Sequence, residues 1–235
     1  MASSIDLVLP FYNPVDGWAN RVLKSLADLA ESCAQYEFKL ILVDDGSEVT
    51  EALEEGKQLL KEEGVKHEVI TLPSNTGKGQ ALRQGMLHSE APFTIFTDID
   101  FPYDTESMAA IIQCLESGED VALGFREQDY YVSVPWFRKG LSVLFRMILK
   151  GVLKSPITDT QCGLKGMSSK GREVFLKTKI NRFLVDMEFI KLSMRNATLR
   201  VKPVTVHLRQ DVQFSTMGIK VLITEGINFL RILFR

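Results

Sequence analysis

Three short apolar runs, at residues 5–9, 38–43 and 93–97, end in turn chemistry or in carboxylates, and each is followed by a segment of helical periodicity. That alternation is the strongest constraint on the fold. Residues 17–34 carry Trp18, Val22, Leu26, Leu29 and Cys33 at helical spacing. Further helices are expected at about 49–63, 77–89 and 105–117, with strands at 67–72 and 121–124. Alternation of this kind requires crossover connections, so the pattern predicts an α/β fold with a mostly parallel central sheet and helices on both faces. The first strand is expected to stop at Pro10, with Tyr12-Asn13-Pro14 supplying the turn. A chain of 235 residues, 45% hydrophobic and 25% charged, is long enough to bury a sizeable core in one such domain.

A parallel sheet gathers the carboxyl ends of its strands along one edge, where open α/β sheets bind ligands. Asp44 and Asp45 end the second run and Asp98 and Asp100 the fourth strand, so all four project there. Residues i and i+2 share a side of an extended chain, which makes Asp98 and Asp100 converge. Two carboxylates so placed call for a cation. Hard oxygen ligands suit Mg²⁺ or Mn²⁺, bridging to a diphosphate. Between the acidic pairs lies Ser74-Asn75-Thr76-Gly77-Lys78-Gly79-Gln80-Ala81, a glycine-flanked lysine opening a helix. Free N–H groups at a helix start, with a cation beside them, favour an anion such as phosphate, although the spacing is not that of a Walker loop. Each feature taken alone also has a plainer reading, an Asp-x-Asp in a solvated loop and two glycines that shape a turn.

The formal net charge of −2 argues against a general nucleic-acid binder. Three cysteines without a CxxC pair read as reduced thiols of a cytosolic compartment, with Cys162 in a packing role. No signal peptide is expected, and no apolar run reaches the roughly 18 residues of a membrane span. Residues 135–154 place Phe137, Leu141, Leu144, Phe145, Ile148 and Val152 on one helical face and Arg138, Lys139, Arg146, Lys150 and Lys154 on the other, with no acidic residue. A basic amphipathic helix of this kind suits peripheral contact with a membrane, or a core-packed helix with a solvated basic face. Residues 217–235 are expected to form a second interfacial helix or a homodimer face. His67, His88 and His207 lack metal-like spacing and read as structural.

The ordered set Val43-Asp44-Asp45-Gly46-Ser47, Asn75-x-Gly77-Lys78-Gly79-x-Ala81 and Asp98-Ile99-Asp100 resembles the inverting family 2 glycosyltransferases with the GT-A fold. Pro10-x-Tyr12-Asn13 is similar to that family's first-strand ending. Gly124-Phe125-Arg126 and Asp159-Thr160-Gln161-Cys162-Gly163-Leu164-Lys165 resemble motifs of its polyprenyl-phosphate sugar transferase group. The similarity runs from about residue 5 to about residue 220. It implies a single glycosyltransferase domain over 1–235, with a nucleotide-sugar-binding half at about 1–125, an acceptor half at about 126–220 and a C-terminal helix at about 217–235. It also implies that Asp44 or Asp45 contacts the base or ribose of a nucleotide-diphosphate sugar, that Asp98 and Asp100 hold the metal, and that Lys78 lies near the nucleoside or its phosphates. Pro10, Tyr12, Asn13, Asn75 and Gly77 complete the donor site. The group usually places a metal-binding Gln where Pro102 stands here, which leaves the metal's third contact open.

A polyprenyl-phosphate acceptor arrives as an anion, because a phosphate monoester's second pKa is about 6, and needs no protein base. Arg126 and Arg138 would then hold its phosphate. A hydroxyl of a glycan or glycolipid would instead require a carboxylate within reach, with Asp159, Asp186 and Glu188 as candidates, although Asp186 and Glu188 also suit the start of a helix. The resemblance favours lipid phosphate, at the cytoplasmic face of the membrane. A non-catalytic nucleotide-sugar-binding subunit is the reading from a different class.

Overall fold

The computed structural model describes residues 3–126, 159 and 162–209. The basic helix expected at 135–154 with Arg138, residues Thr160 and Gln161, and the stretch from 210 onward lie outside the described residues.

Among the described residues seven strands form one sheet: β1 (Ser3–Phe11), β2 (Tyr36–Asp44), β3 (His67–Thr71), β4 (Phe93–Phe96), β5 (Val121–Phe125), β6 (Lys165–Ser168) and β7 (Val201–Thr205), in the spatial order β3-β2-β1-β4-β6-β5-β7. Every pairing is parallel except those of β6, which runs antiparallel between β4 and β5. Among the described residues the helices are α1 (Trp18–Ser32), α2 (Glu51–Glu62), α3 (Lys78–His88), α4 (Thr105–Glu116), α5 (Ser169–Phe175) and α6 (Val185–Arg195).

Side-chain alternation along the strands divides the interior into two layers. Ile5, Leu7 and Leu9 of β1 and Leu40 and Leu42 of β2 pack with Trp18, Val22, Leu53, Ile111 and Leu115 from α1, α2 and α4. Val8, Ile41 and Val43 point the other way, to Ala81, Leu82, Phe175, Val185 and Phe189 from α3, α5 and α6. In the second layer Phe175 meets Phe96 and Phe189 edge to face, with centroids 5.5 and 5.0 Å apart. Trp18 lies directly over Gly56 of α2, where a Cβ would come within 2.4 Å of the indole.

One expectation changes, and strand β6 was not foreseen. Pro10 does not end β1, which pairs through Phe11 with Asp44. The β4 ladder stops at Val8–Phe96, so Pro10 sits where β1 has β2 as its neighbour in these ladders, a setting that tolerates a missing N–H. The antiparallel β6 is also new: its sequence Lys-Gly-Met-Ser carries no strand pattern, and it is held by ladders on both sides. It begins at the edge where the parallel strands end, and so delivers residues 162–165 to the acidic residues.

Candidate active site

The Asp44-Asp45 pair is drawn inward. Asp44 is 1% exposed, and its Oδ1 accepts the Ser47 N–H at 2.8 Å. Asp45 is 4% exposed and clamps the following loop: Oδ1 accepts from the Thr76 N–H and hydroxyl, both at 2.8 Å, and Oδ2 accepts the Gly77 N–H at 2.7 Å. Gly46, with φ at 74°, lets the two loops touch, since a Cβ there would fall 2.4 Å from the Ser74 carbonyl carbon. Asn13, in the left-handed region at φ 46°, ties the first loop to the second: its N–H donates to Ser47 Oγ at 2.8 Å and its Oδ1 accepts the Glu48 N–H at 2.9 Å. Pro10 is buried, while Tyr12 and Asn75 are exposed on these loops.

Three of the amides expected to be free at the start of α3 are engaged. The Gly79 and Gln80 N–H groups donate to the Asn181 carbonyl at 2.7 and 3.2 Å, and Gly77 donates to Asp45. A chain crossing from α5 to α6 covers the turn so closely that a Cβ at Gly79 would lie 2.2 Å from the Ile180 oxygen. Arg83 of α3 fastens that crossing by donating to the Ile180 carbonyl at 2.8 Å and to Asn181 Oδ1. The charge that this turn brings to the sheet edge is the Lys78 side chain.

Lys78 reaches across to the other acidic motif. Its Nζ lies 2.5 Å from Asp98 Oδ1, the ammonium 13% and the carboxylate 41% exposed. Burial alone would lower the Lys78 pKa, but the negative charges of Asp98 and Asp186 outweigh it and raise the value. The other oxygen of Asp98 faces Gly163, where a Cβ would stand 2.7 Å from Oδ2 and 3.5 Å from Lys78 Nζ. Asp100 is exposed two residues on, and its pKa is raised by the surrounding protein and by the Asp98 charge. Asp98 and Asp100 thus share one electrostatic environment, within reach of the Gly77-Lys78-Gly79 turn. Between them and α4 the chain reverses sharply: Phe101 takes φ 46°, and its N–H donates to the Asp98 carbonyl at 3.0 Å.

Behind this surface the turn at 162–165 is held from two sides. The Tyr103 hydroxyl accepts the Gly163 N–H at 2.8 Å and a 3.3 Å contact from Cys162 Sγ, and burial together with Cys162 raises its pKa. Lys165, fully buried, donates to the Cys162 carbonyl and to Asp186 Oδ1 at 2.7 Å, with its ammonium 5.5 Å from the Phe96 ring centroid. Burial raises the Cys162 pKa, which keeps it a thiol.

The three carboxylates considered as bases are all engaged. Asp159, 4% exposed, is gripped bidentately by Arg126, Nε to Oδ2 at 2.7 Å and Nη2 to Oδ1 at 2.9 Å. Burial alone would raise the Asp159 pKa; Arg126 outweighs it and holds the carboxyl below the usual range. Asp186, 3% exposed, is the partner of Lys165. Glu188, 5% exposed, accepts the Lys179 and Ile180 N–H groups through Oε2, both at 2.8 Å, and so stabilises the crossing over α3. Of the histidines, His88 contacts Glu68 through Nδ1 at 2.6 Å and His67 Nδ1 meets the Val65 carbonyl at 2.8 Å.

Among the described residues there is no cluster of three or more Asp, Glu, His or Cys side chains arranged to hold a metal. The described residues offer the two carboxylates Asp98 and Asp100 at this position, oxygen donors that fit Mg²⁺ or Mn²⁺ if phosphate and water complete the shell. A cleft of about 620 Å³ lies elsewhere, between the N-terminal turns of α1 and α2, lined by Asp16, Trp18, Thr50, Glu51 and Glu55, and it includes none of the Asp98, Asp100 and Lys78 group. Sequence reading did not give Tyr103, Lys165, Gly163 or Arg83 a role. Gly163 and Lys165 stood within a recognised motif, but their tasks depend on which segments cross at the sheet edge.

A family model described as glycosyl transferase family 2 matches residues 6–175. A dolichyl-phosphate beta-glucosyltransferase of Drosophila melanogaster is 30% identical over 218 residues, covering 86% of this chain and 66% of that protein. The chain spans somewhat less than two thirds of the length of the first such relatives it matches. Among solved structures, mannosyl-3-phosphoglycerate synthase from Rubrobacter xylanophilus superposes with a TM-score of 0.70 at 14% identity, covering 98% of this chain and 73% of that one. A mannosyltransferase from Pyrobaculum calidifontis, in complex with GDP-Man and Mn²⁺, does so at 0.57 and 13% identity, covering 86% and 55%. These likenesses agree with a GT-A architecture for the described residues, and the family model covers well over half of the chain, with the Asp44-Asp45, Lys78 and Asp98/Asp100 motifs inside the match: the chain belongs to glycosyl transferase family 2.

Proposed function

We propose that the protein is an inverting, metal-dependent glycosyltransferase that moves a sugar from a nucleotide-diphosphate donor to a polyprenyl phosphate at the cytoplasmic face of a membrane. The observation that carries this reading is the Lys78–Asp98 contact at the carboxyl edge of the sheet, with Asp100 beside it and Gly163 leaving room against it. Asp98 and Asp100 would hold Mg²⁺ or Mn²⁺, which supplies positive charge to a departing nucleoside diphosphate. Lys78 adds a further cation for that diphosphate. An acceptor oxygen attacks the anomeric carbon in line; the new carbon–oxygen bond forms as the bond to the donor's diphosphate breaks, its electron pair leaving with the diphosphate, and configuration inverts.

The state of the three candidate bases supports a phosphate acceptor over a hydroxyl. Asp159, Asp186 and Glu188 are each buried and committed to Arg126, Lys165 or backbone amides. An acceptor that is already an anion requires no proton to be removed. The name of the Drosophila relative, dolichyl-phosphate beta-glucosyltransferase, points the same way. Arg126, expected to hold the acceptor phosphate, stands directly after β5 with Nε and Nη2 on Asp159, so that it would serve a phosphate there only as a cation held in place by that carboxylate. Asp44 and Asp45 serve the donor through the loops they shape, with Tyr12 and Asn75 exposed on them.

The experiment is transfer of labelled sugar from UDP- and GDP-sugars to polyprenyl phosphate in vesicles, beside the corresponding polyprenol, with Mn²⁺ or with a chelator. Transfer to the phosphate, none to the alcohol, and loss on chelation are expected. Transfer to the alcohol or to glycan hydroxyls but not to the lipid phosphate would overturn the acceptor assignment. Nucleotide binding with neither transfer to any acceptor nor nucleotide release would favour the non-catalytic nucleotide-sugar-binding subunit.

A further inference from the structure

The Lys78–Asp98 pair poses a problem for any metal that uses Asp98. Oδ1 already carries an ammonium at 2.5 Å, and Oδ2 faces Gly163. A divalent ion takes a carboxylate oxygen at about 2.0–2.2 Å, so both cations on one carboxylate would lie within roughly 5 Å of each other and repel strongly. Among the described residues no second carboxylate pairs with Lys78. The nearby Asp186 is taken by the fully buried Lys165. The ammonium can leave Asp98 without penalty only when another anion enters the site, and the four-carbon stem of lysine allows such a move.

We propose that Lys78 is a built-in competitor for the metal that couples metal binding to diphosphate binding. While the site lacks nucleotide, Lys78 neutralises Asp98 and keeps affinity for a lone divalent cation low. When metal and nucleoside diphosphate arrive together, Lys78 transfers from the carboxylate to the diphosphate and the metal takes Asp98. The inference rests on the metal-dependent reading above and adds to it an order: the metal enters with the nucleotide. By linkage, whatever factor the diphosphate adds to metal affinity, the metal adds to diphosphate affinity. Chelation of the metal by free nucleotide also produces joint binding, so the distinguishing feature is the sign of the change when Lys78 is neutralised. A lysine that only contacts phosphate, or only supports the turn, leaves the affinity for metal alone unchanged or weakened. A competitor, once removed, strengthens it.

The test is Mn²⁺ titration followed by electron paramagnetic resonance, on the whole protein, without nucleotide and with saturating UDP or GDP. Wild type, Lys78→Met, Lys78→Gln, Lys78→Arg and Asp98→Asn are compared. The two neutral variants are expected to bind Mn²⁺ alone about tenfold more tightly than wild type, a change of about 1.4 kcal/mol, and Mn²⁺ with diphosphate about tenfold more weakly. Lys78→Arg, which keeps the positive charge, follows wild type, and Asp98→Asn loses Mn²⁺ in both conditions. Asp98 is exposed enough to be hydrated when Lys78 is gone, and two neutral variants guard against one that fails to fold. Unchanged or weaker binding of Mn²⁺ alone by both neutral variants, in a protein whose wild type still takes up Mn²⁺ with diphosphate, overturns the competitor role and leaves the metal-dependent reading standing. Wild type that takes up no Mn²⁺ with either nucleotide sinks both.

Discussion

Replacing Gly163 with alanine would separate the geometry of the candidate site from the stability of the fold. A Cβ at this position lies 2.7 Å from Asp98 Oδ2, against the 3.4 Å at which ordinary contact begins, so the carboxylate must retreat by about 0.7 Å. The backbone of Gly163 is not in the left-handed region, so alanine adds no conformational strain there. The obstructed atom is the far end of a side chain that is 41% exposed, not backbone or buried core. The cost to folding should therefore stay within about 1 kcal/mol, a shift of a few degrees in Tm for a chain of this size. A misplacement of roughly 1 Å at a reacting centre can cost on the order of a hundredfold in rate. We expect kcat/KM for sugar transfer to fall by about that factor while Tm changes by less than about 4 °C. Gly171→Ala supplies the contrast: its Cβ would meet the Asp120 carbonyl at 2.5 Å and Met167 at 2.9 Å, backbone and buried core, so stability should fall with no direct effect on Asp98. Full activity and unchanged Mn²⁺-dependent nucleotide affinity in Gly163→Ala would refute the placement of Asp98 at the reacting centre.

Lys165→Met leaves Asp186 buried without its cation and should cost about 3–5 kcal/mol by chemical denaturation, and adding Asp186→Leu should restore most of it. Asp45→Asn replaces an acceptor of three hydrogen bonds by an amide with one acceptor oxygen; a loss of about 1–3 kcal/mol is expected, with weaker donor binding measured by calorimetry. The Asp159 carboxyl is held below its ordinary value, so its contribution to stability is present above the unfolded pKa of about 3.9 and is lost as pH falls through the lower folded value. The difference in unfolding free energy between wild type and Asp159→Asn should accordingly stay constant from pH 5 to 8 and narrow in acid; widening in acid would contradict the pairing with Arg126.

The strand–helix alternation was legible because residues such as Leu7, Val8 and Leu9 are buried on both faces of a parallel sheet, a condition that writes itself as apolar runs. The acidic strand ends were legible for the same reason, since polar residues following such runs mark the edge. What each carboxylate does there was not. Asp44 and Asp45 looked exposed and ligand-facing, yet they bind the amides of Ser47, Thr76 and Gly77. The N–H groups opening α3 looked available, yet the Asn181 carbonyl, about a hundred residues further on, accepts two of them. Lys165, in a stretch too short and polar to signal a strand, heads an antiparallel insertion that places a buried cation under Asp186. Local sequence reports burial and periodicity; the choice among hydrogen-bond partners is decided by segments that meet only once the sheet is assembled.

The most direct measurement of the central claim is a crystal structure of the protein with Mn²⁺ and a nucleoside diphosphate, with the metal located by its anomalous signal. The account predicts a peak within bonding distance of Asp98 or Asp100 and of the diphosphate, with Lys78 Nζ moved from Asp98 Oδ1 onto a phosphate oxygen. A nucleotide bound with no metal near these carboxylates, or with the Lys78–Asp98 contact intact and the diphosphate elsewhere, would contradict it.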